Sequence, residues 1–351
     1  MRILVTGGLG FIGSSVIRKL ISETNHEVIN LDKVSYASTY GSVQQVSNDP
    51  RYQFIKCDLA DPSATNEAIQ SCKPQAVLHL AAESHVDRSI DGPGAFVEAN
   101  IIGTFNLLQA VRSVELSKFV HVSTDEVFGS LSLDDPQFTE DTPYDPRSPY
   151  SASKAASDHL ARAWGETFGV PVTVTNCSNN YGAFQFPEKM IPLMIIKAIS
   201  GEPLPIYGRG ENIRDWLYVE DHAAALIEVL LNGSVGSTYA IGGDNEKTNL
   251  DMVQLLCSII DERRNSSKFS DSIVHNKPCE ELIEFVEDRP GHDLRYAIDS
   301  SKIQNELSWK PTILPEFGLE LTVDWYLQNS EWWQPLLEER SATKRAGTLG
   351  S

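Results

Sequence analysis

The chain has 351 residues, 41% of them hydrophobic, and a formal net charge of −19. That is enough apolar material for a real core and, by length, for about two domains. The acidity argues against nucleic acid or an anionic membrane surface as a partner, while a few local cations could still hold an anionic small molecule.

A strand is expected at Arg2–Thr6, then a glycine loop and a helical pattern over Ser14–Ser22. Strands follow at His26–Leu31, Tyr52–Lys56 and Ala76–Leu80. Phe96–Val111 has helical spacing, with Ile101, Ile102, Phe105, Leu108 and Val111 on its apolar side. Phe119–Ser123 reads as a fifth strand, Tyr150–Phe168 as a helix and Val172–Asn176 as a sixth strand. Strands alternating with helices imply an α/β fold of Rossmann type, a doubly wound parallel sheet covered on both faces.

After Asn176 the rhythm breaks, and prolines and glycines thicken through 181–210. One more helix is expected at Val219–Leu231, a strand at Thr238–Ile241 and a helix at Leu250–Asp261. Asp221 reads as a helix-start acid with a structural task. The polar stretch 338–351 is expected to be a disordered tail. The cysteines, Cys57, Cys72, Cys177, Cys257 and Cys279, are odd in number and scattered, which suggests neither a metal site nor a disulfide framework and points to a reducing cytoplasm. A strand starting almost at once leaves no room for a signal peptide, and no apolar run is long enough to span a bilayer.

The loop Gly7-Gly8-Leu9-Gly10-Phe11-Ile12-Gly13 satisfies two three-glycine patterns of dinucleotide-binding turns. The chain must turn sharply from strand to helix, let a pyrophosphate approach the backbone at Gly10, and offer helix N–H groups to it. Asp32 ends the second strand about 20 residues on, where a carboxylate accepts bonds from a ribose diol and repels a 2′-phosphate. NAD is therefore expected over NADP, with Lys33 beside that acid. Asp58 ends the third strand, near an adenine edge or as a plain turn aspartate. Leu80, Ala81 and Ala82 suit close packing under a cofactor, and equally suit an ordinary strand exit.

Tyr150 and Lys154 lie one helical turn apart on one face. A nearby ammonium would favour the phenolate, which could take a hydroxyl proton while hydride leaves the same carbon. Tyr52 and Lys56 share that spacing, but on a strand, where four residues span about 13 Å, so the spacing alone is near chance. GGLGFIG, a Ser/Thr closing the fifth strand, and Tyr-x-x-x-Lys together resemble the extended short-chain dehydrogenase/reductase family. The resemblance implies that Tyr150 is the base, that Lys154 orients the ribose and lowers the Tyr150 pKa, and that Thr124 holds the reacting hydroxyl.

Asp125 and Glu126 follow Thr124 directly. They read either as turn and cap residues or as a working pair. If C4 of a hexose is oxidised, the C5 proton becomes acidic, and Glu126 can remove it while Asp125 protonates the departing C6 hydroxyl. Close carboxylates repel and one pKa rises, so acid and base can coexist near neutrality. Adjacent strand residues point to opposite faces, so the backbone must leave strand geometry over 124–126.

STDEVFG, SPYSASKAASDHL, NCSNNYG, FPEKMIPLMI, LPIYG, IRDWLYVEDHA and DRPGHDLRYAID resemble the dTDP-glucose 4,6-dehydratase branch of that family. Phe128 departs from it, since the branch usually has Tyr there. The resemblance implies NAD-dependent dehydration of dTDP-glucose to dTDP-4-keto-6-deoxyglucose. It places Ser35, Leu59, Ser84 and Asn180 on the cofactor. On the nucleotide sugar it places Ser84, Thr124, Asn179, Lys189, Met190, Pro205, Ile206, Tyr207, Arg214, Asn249, Arg289 and His292. It further implies a homodimer joined through the helices of Phe96–Val111 and Tyr150. Residues 1–178 and about 213–244 would form the NAD-binding domain, and 179–212 with about 245–330 a smaller mixed α/β substrate domain. The alternatives are a UDP-sugar 4-epimerase or decarboxylase, a UDP-glucose 4,6-dehydratase, and a non-catalytic NAD-binding protein.

Overall fold

The computed structural model describes residues 1–269, 272–288 and 291–346. The strands β1 (Arg2–Thr6), β2 (Glu27–Asp32), β3 (Tyr52–Lys56), β4 (Ala76–His79), β5 (Lys118–Thr124) and β6 (Val172–Cys177) join Thr238–Ile241 in one sheet of seven. Across it the order is Thr238–Ile241, β6, β5, β4, β1, β2, β3. Every pair is parallel. After β3 the chain crosses to the far side of β1, so the order reverses between β1 and β4. A ligand crevice opens at such a reversal, beyond the carboxyl ends of the strands.

β5 and β6 are buried at every position, so their polar residues, among them His121, Thr173 and Asn176, lie in the interior as well. The first helix, Phe11–Glu23, starts three residues before the expected helical pattern and buries Val16, Ile17 and Leu20 against the sheet core. The other face is covered by Pro62–Cys72 and Gly103–Val111, with Leu107, Leu108 and Val111 packed on Val77 and Phe119 in one cluster. The expected helix over Phe96–Val111 is interrupted: Val97–Ile102 winds as a π-helix before Gly103–Val111 resumes α geometry.

The chain divides into two compact units. The larger comprises 1–180, 213–246 and 293–312, and the smaller 181–212, 247–292 and 313–351. Residues 293–312, assigned from sequence to the smaller domain, belong to the larger one. They are bound there by backbone bonds from Leu131 to Arg295, Phe138 to Ala297 and Ile213 to Leu294. Asp221 accepts from the backbone N and hydroxyl of Thr312 at 3.1 and 2.7 Å, a structural tie.

The smaller unit holds helices Met190–Ser200, Asn249–Arg264 and Pro315–Gln328 and a parallel strand pair, Leu204–Tyr207 with Ile283–Val286. The expected tail at 338–351 is corrected in part: a helix runs from Ser330 through Ala346, and 347–351 lie outside the described residues. No helix among the described residues is long and apolar enough to cross a membrane.

Candidate active site

The turn after β1 holds three glycines, Gly7, Gly8 and Gly13, where a Cβ would clash outright. Gly7 sits at φ +71°, and a Cβ there would stand 2.7 Å from the Ala81 Cα. A Cβ on Gly13 would lie 2.3 Å from the Gly7 carbonyl oxygen, and one on Gly8 2.3 Å from Asn30 Oδ1. At Gly10 a Cβ would stand 3.2 Å from the Gly7 carbonyl oxygen, a tight contact that a small shift relieves, so the chain's own packing does not forbid a side chain there. A ligand passing over the loop would. Gly10 caps the first helix without a side-chain bond, which leaves the first-turn N–H groups of Phe11, Ile12 and Gly13 to an anion.

Two substitutions separate these roles. Gly10→Ala is expected to lower Tm far less than Gly13→Ala and to weaken NAD binding about tenfold or more. Gly13→Ala should lower both, because a backbone oxygen blocks it. Thermal melts and calorimetric NAD titration of the two variants check this.

Asp32 is buried at the end of β2. Its Oδ2 accepts from Leu9 N at 3.0 Å, and its Oδ1 from Val34 N at 2.7 Å and Ser38 Oγ at 3.0 Å. The carboxylate thus shapes the loop as well as presenting an anion at its edge. Ser35 Oγ lies 3.3 Å from Ser38 Oγ, and Lys33 pairs with Glu83 at 3.1 Å. Leu59 is buried, whereas Asp58 is exposed and accepts from Ala60 N at 2.9 Å, the turn role weighed for it. Leu80 and Ala81 are half-buried, and Ala82 and Ser84 exposed, beyond the end of β4. The glycine cradle, the helix start and Asp32 together fit a dinucleotide.

The helix Pro149–Phe168 is strongly specified. Ser148 and Ser151 form a capping box, Pro149 sits at the first position and Gly169 closes the end at φ +70°. This brings Tyr150 into the first turn, with its ring 6.3 Å from that of Phe96 and its hydroxyl near the Thr124 side chain. Lys154 donates to the Val122 carbonyl at 2.8 Å. Burial pushes the Tyr150 phenol well above its ordinary range, and the Glu126 charge adds to this.

β5 ends at Thr124 and the chain enters a 3₁₀ turn over Asp125–Phe128, so the backbone does leave strand geometry where the acid pair requires it. Gly129 at φ +88° closes that turn against Asp145. Asp125 is 1% exposed. Thr124 Oγ1 donates to its Oδ1 at 3.2 Å, while its Oδ2 has no hydrogen-bond partner among the described residues. Burial first, then the Glu126 and Asp215 charges, raise its pKa well above the usual carboxylate range. Burial thus holds Asp125 toward its protonated form, and one of its oxygens is left without a hydrogen-bond partner among the described residues. Glu126 is half-buried, and Phe128 packs against Phe138 and Tyr144 at 5.1 and 5.3 Å between ring centroids.

The raised pKa has a consequence for stability. The folded chain keeps a proton on Asp125 that the unfolded chain releases. The group's contribution is full below the ordinary carboxylate range and is lost as pH rises toward the folded value. Asparagine mimics the protonated form at every pH. Asp125→Asn should therefore match the parent's Tm at about pH 4 and exceed it by a few degrees at about pH 8. A gap that narrows with rising pH would contradict the assignment.

Asn179 Oδ1 is buried without a hydrogen-bond partner among the described residues, an acceptor suited to a ligand donor. Asn180 is held by His222 Nδ1 at 2.9 Å and donates to the Ser178 carbonyl at 2.9 Å. Arg214 is 5% exposed. It donates to the Ile213 and Asp293 carbonyls at 2.7 and 3.0 Å and stacks 4.2 Å over the Tyr296 ring. It is therefore not the open surface cation its type suggests.

In the smaller unit, Tyr207 meets the His292 ring edge-on at 6.2 Å, and His292 Nδ1 lies 2.7 Å from Asp288 Oδ1. Ile206 is buried under Gly210, Pro205 is half-buried, and Asn249 N donates to the Asn212 carbonyl at 2.9 Å. Lys189 and Met190 stand at the start of Met190–Ser200. Arg289 lies outside the described residues.

Sequence reasoning missed Asn100. It sits in the π-helix, 1% exposed, accepts from Glu83 N at 2.8 Å, and donates to Glu83 O at 3.0 Å and Ser153 Oγ at 2.8 Å. It ties the loop after β4 to the Tyr150 helix. A buried amide inside an apolar helical stripe was the available signal.

The family model described as GDP-mannose 4,6 dehydratase matches residues 4–322. A dTDP-glucose 4,6-dehydratase of Neisseria meningitidis serogroup B is 51% identical over 99% of this chain and 99% of its own. That of Haemophilus influenzae is 53% identical over 94% of this chain and 99% of its own. Among solved structures, DesIV, a dTDP-glucose 4,6-dehydratase from Streptomyces venezuelae with NAD bound, is 41% identical with a TM-score of 0.88, covering 96% of this chain and 100% of that one.

Proposed function

The chain belongs to the dTDP-glucose 4,6-dehydratases of the extended short-chain dehydrogenase/reductase family, and on that footing we propose that it converts dTDP-glucose to dTDP-4-keto-6-deoxyglucose with NAD. The observation that carries the reading is Asp125: a buried carboxyl with one oxygen unpaired among the described residues, held toward its protonated form by that burial, next to a second acid and at the end of the strand that carries Thr124. An epimerase would leave that acid idle.

Gly7, Gly10, Gly13, Asp32 and the first-turn N–H groups would hold the cofactor, with Lys154 on its ribose and Asn180 toward its nicotinamide. Bound NAD would supply the acceptor for the C4 hydride and the hydride that C6 receives at the end. Thr124 holds the C4 hydroxyl, and Tyr150 takes its proton. With C4 a ketone, Glu126 removes the C5 proton, and Asp125 gives its proton to the C6 hydroxyl, which leaves as water. Asp125 suits that task because burial keeps the proton on it.

Ser84, Asn179 and Arg214 of the larger unit, and Lys189, Met190, Pro205, Ile206, Tyr207, Asn249, Arg289 and His292, would bind the nucleotide sugar. A homodimer through the face of Val97–Ile102 is supported by the exposure of Val97 (46%) and Ile102 (41%). Five free cysteines support a reducing compartment, the cytoplasm. Incubation with dTDP-glucose should give a product lighter by one water, and an unchanged mass would sink the reading.

A further inference from the structure

Tyr150 and Lys154 are followed on the same helix face, a further four residues on, by Asp158. Its side chain is 0% exposed. Ser123 Oγ and the Tyr144 hydroxyl each donate to its Oδ2 at 2.8 Å, His121 Nε2 lies 3.0 Å from Oδ1, and Asn176 Nδ2 stands 3.5 Å from Oδ2. Burial alone would push this carboxyl up. The His121 hydrogen bond, Lys154 and Ser123 outweigh it, so the group stays an anion.

The residues around it are matched to that charge. His121 of β5, and His79 of β4 beside it, are held neutral chiefly by burial. Tyr144 is held as a neutral phenol, first by burial and then by Asp158. Cys177 of β6 stays a thiol, again mainly through burial. Arg162, half-buried, reaches the Tyr144 hydroxyl at 3.0 Å. Burial draws the Lys154 ammonium down, and Asp158 is the main charge opposing that. Asn176, under the same carboxylate, donates to the Thr124 carbonyl at 3.1 Å.

We propose that Asp158 is a positioning residue for the reaction: a fixed buried anion that keeps Lys154 in its ammonium form and, through Ser123, His121 and Asn176, pins the end of β5 where Thr124 and Asp125 act. This rests on the roles of Tyr150 and Lys154 given above. A buried lysine without its counter-charge gives up its proton. Tyr150 would then lose a cation beside it, and its proton would leave only at higher pH.

The test is the pH profile of kcat with dTDP-glucose. Asp158→Asn keeps the shape and removes the charge. Its kcat at neutral pH should fall about tenfold with KM little changed, and the acid limb should move up by about one pH unit. Asp158→Glu should recover part of that shift. A lower Tm and kcat with the limb unmoved would mean a merely structural residue and overturn the proposal. Should Asp158→Asn not fold, Ser123→Ala removes one of the donors that hold the charge. It should move the limb the same way by less, and an unmoved limb overturns the proposal there too. A parent enzyme that releases no water from dTDP-glucose overturns the underlying reading, whereas an active parent with unmoved variants overturns only the role of Asp158.

Discussion

Mixed with dTDP-glucose, Glu126→Gln is expected to reduce its bound cofactor and then stop, its kcat lowered by about 10²- to 10⁴-fold. C4 oxidation needs Tyr150 to take a proton and Thr124 to hold the hydroxyl, and both keep their places in this variant. The amide cannot take the C5 proton, so water cannot leave and the cofactor stays reduced. Rapid mixing with absorbance detection of reduced nicotinamide, followed by product mass, separates the two halves. If Glu126→Gln fails to oxidise C4 at all, Glu126 serves the first step and its role as the C5 base alone is wrong.

Tyr150→Phe should fail earlier. The ring still packs on Phe96, but the hydroxyl near Thr124 is gone. With no group to take the C4 hydroxyl proton, no reduced cofactor should form, and kcat should drop by about 10²- to 10⁴-fold while NAD binding holds. In the protein alone the phenol is held up by burial and by Glu126. Its activation is therefore left to the cations that gather in the complex, Lys154 and the nicotinamide ring. Cofactor reduction by Tyr150→Phe at the parental rate would remove Tyr150 from the chemistry.

The parallel sheet was legible because its strands are short, apolar or β-branched segments between helical patterns, β4 as AVLH and β6 as VTVTNC. The acid pair was legible as a motif, and the condition placed on it, a backbone leaving strand geometry after Thr124, is what the 3₁₀ turn supplies. Segment 293–312 was not legible. It joins the larger unit through isolated single-residue bridges at Arg295 and Ile298, which leave no local periodicity to read. The helix that continues to Ala346 was missed because a polar run after Glu338 looks the same whether it is frayed or helical. Its anchor is distant: Trp333 donates to the Tyr326 carbonyl at 2.9 Å, seven residues back.

Lys154 shows the sharper limit. Its spacing from Tyr150 was read correctly as one helical face, but where its ammonium points depends on the Val122 carbonyl, thirty-two residues away. Asp158 stood in plain view at the next turn of that face. Only its fourfold hydrogen bonding in the interior marks it as more than a surface acid.

The central claim is that a hydrogen removed from C4 comes back to the same sugar at C6 while C5 exchanges its proton through Glu126. dTDP-glucose deuterated at C4, turned over by the wild-type chain in ordinary water, tests it most directly. The product should be one water lighter, carry the deuterium on C6 and have a solvent hydrogen at C5. Deuterium still at C4 without loss of water, or washed out to solvent, would contradict it.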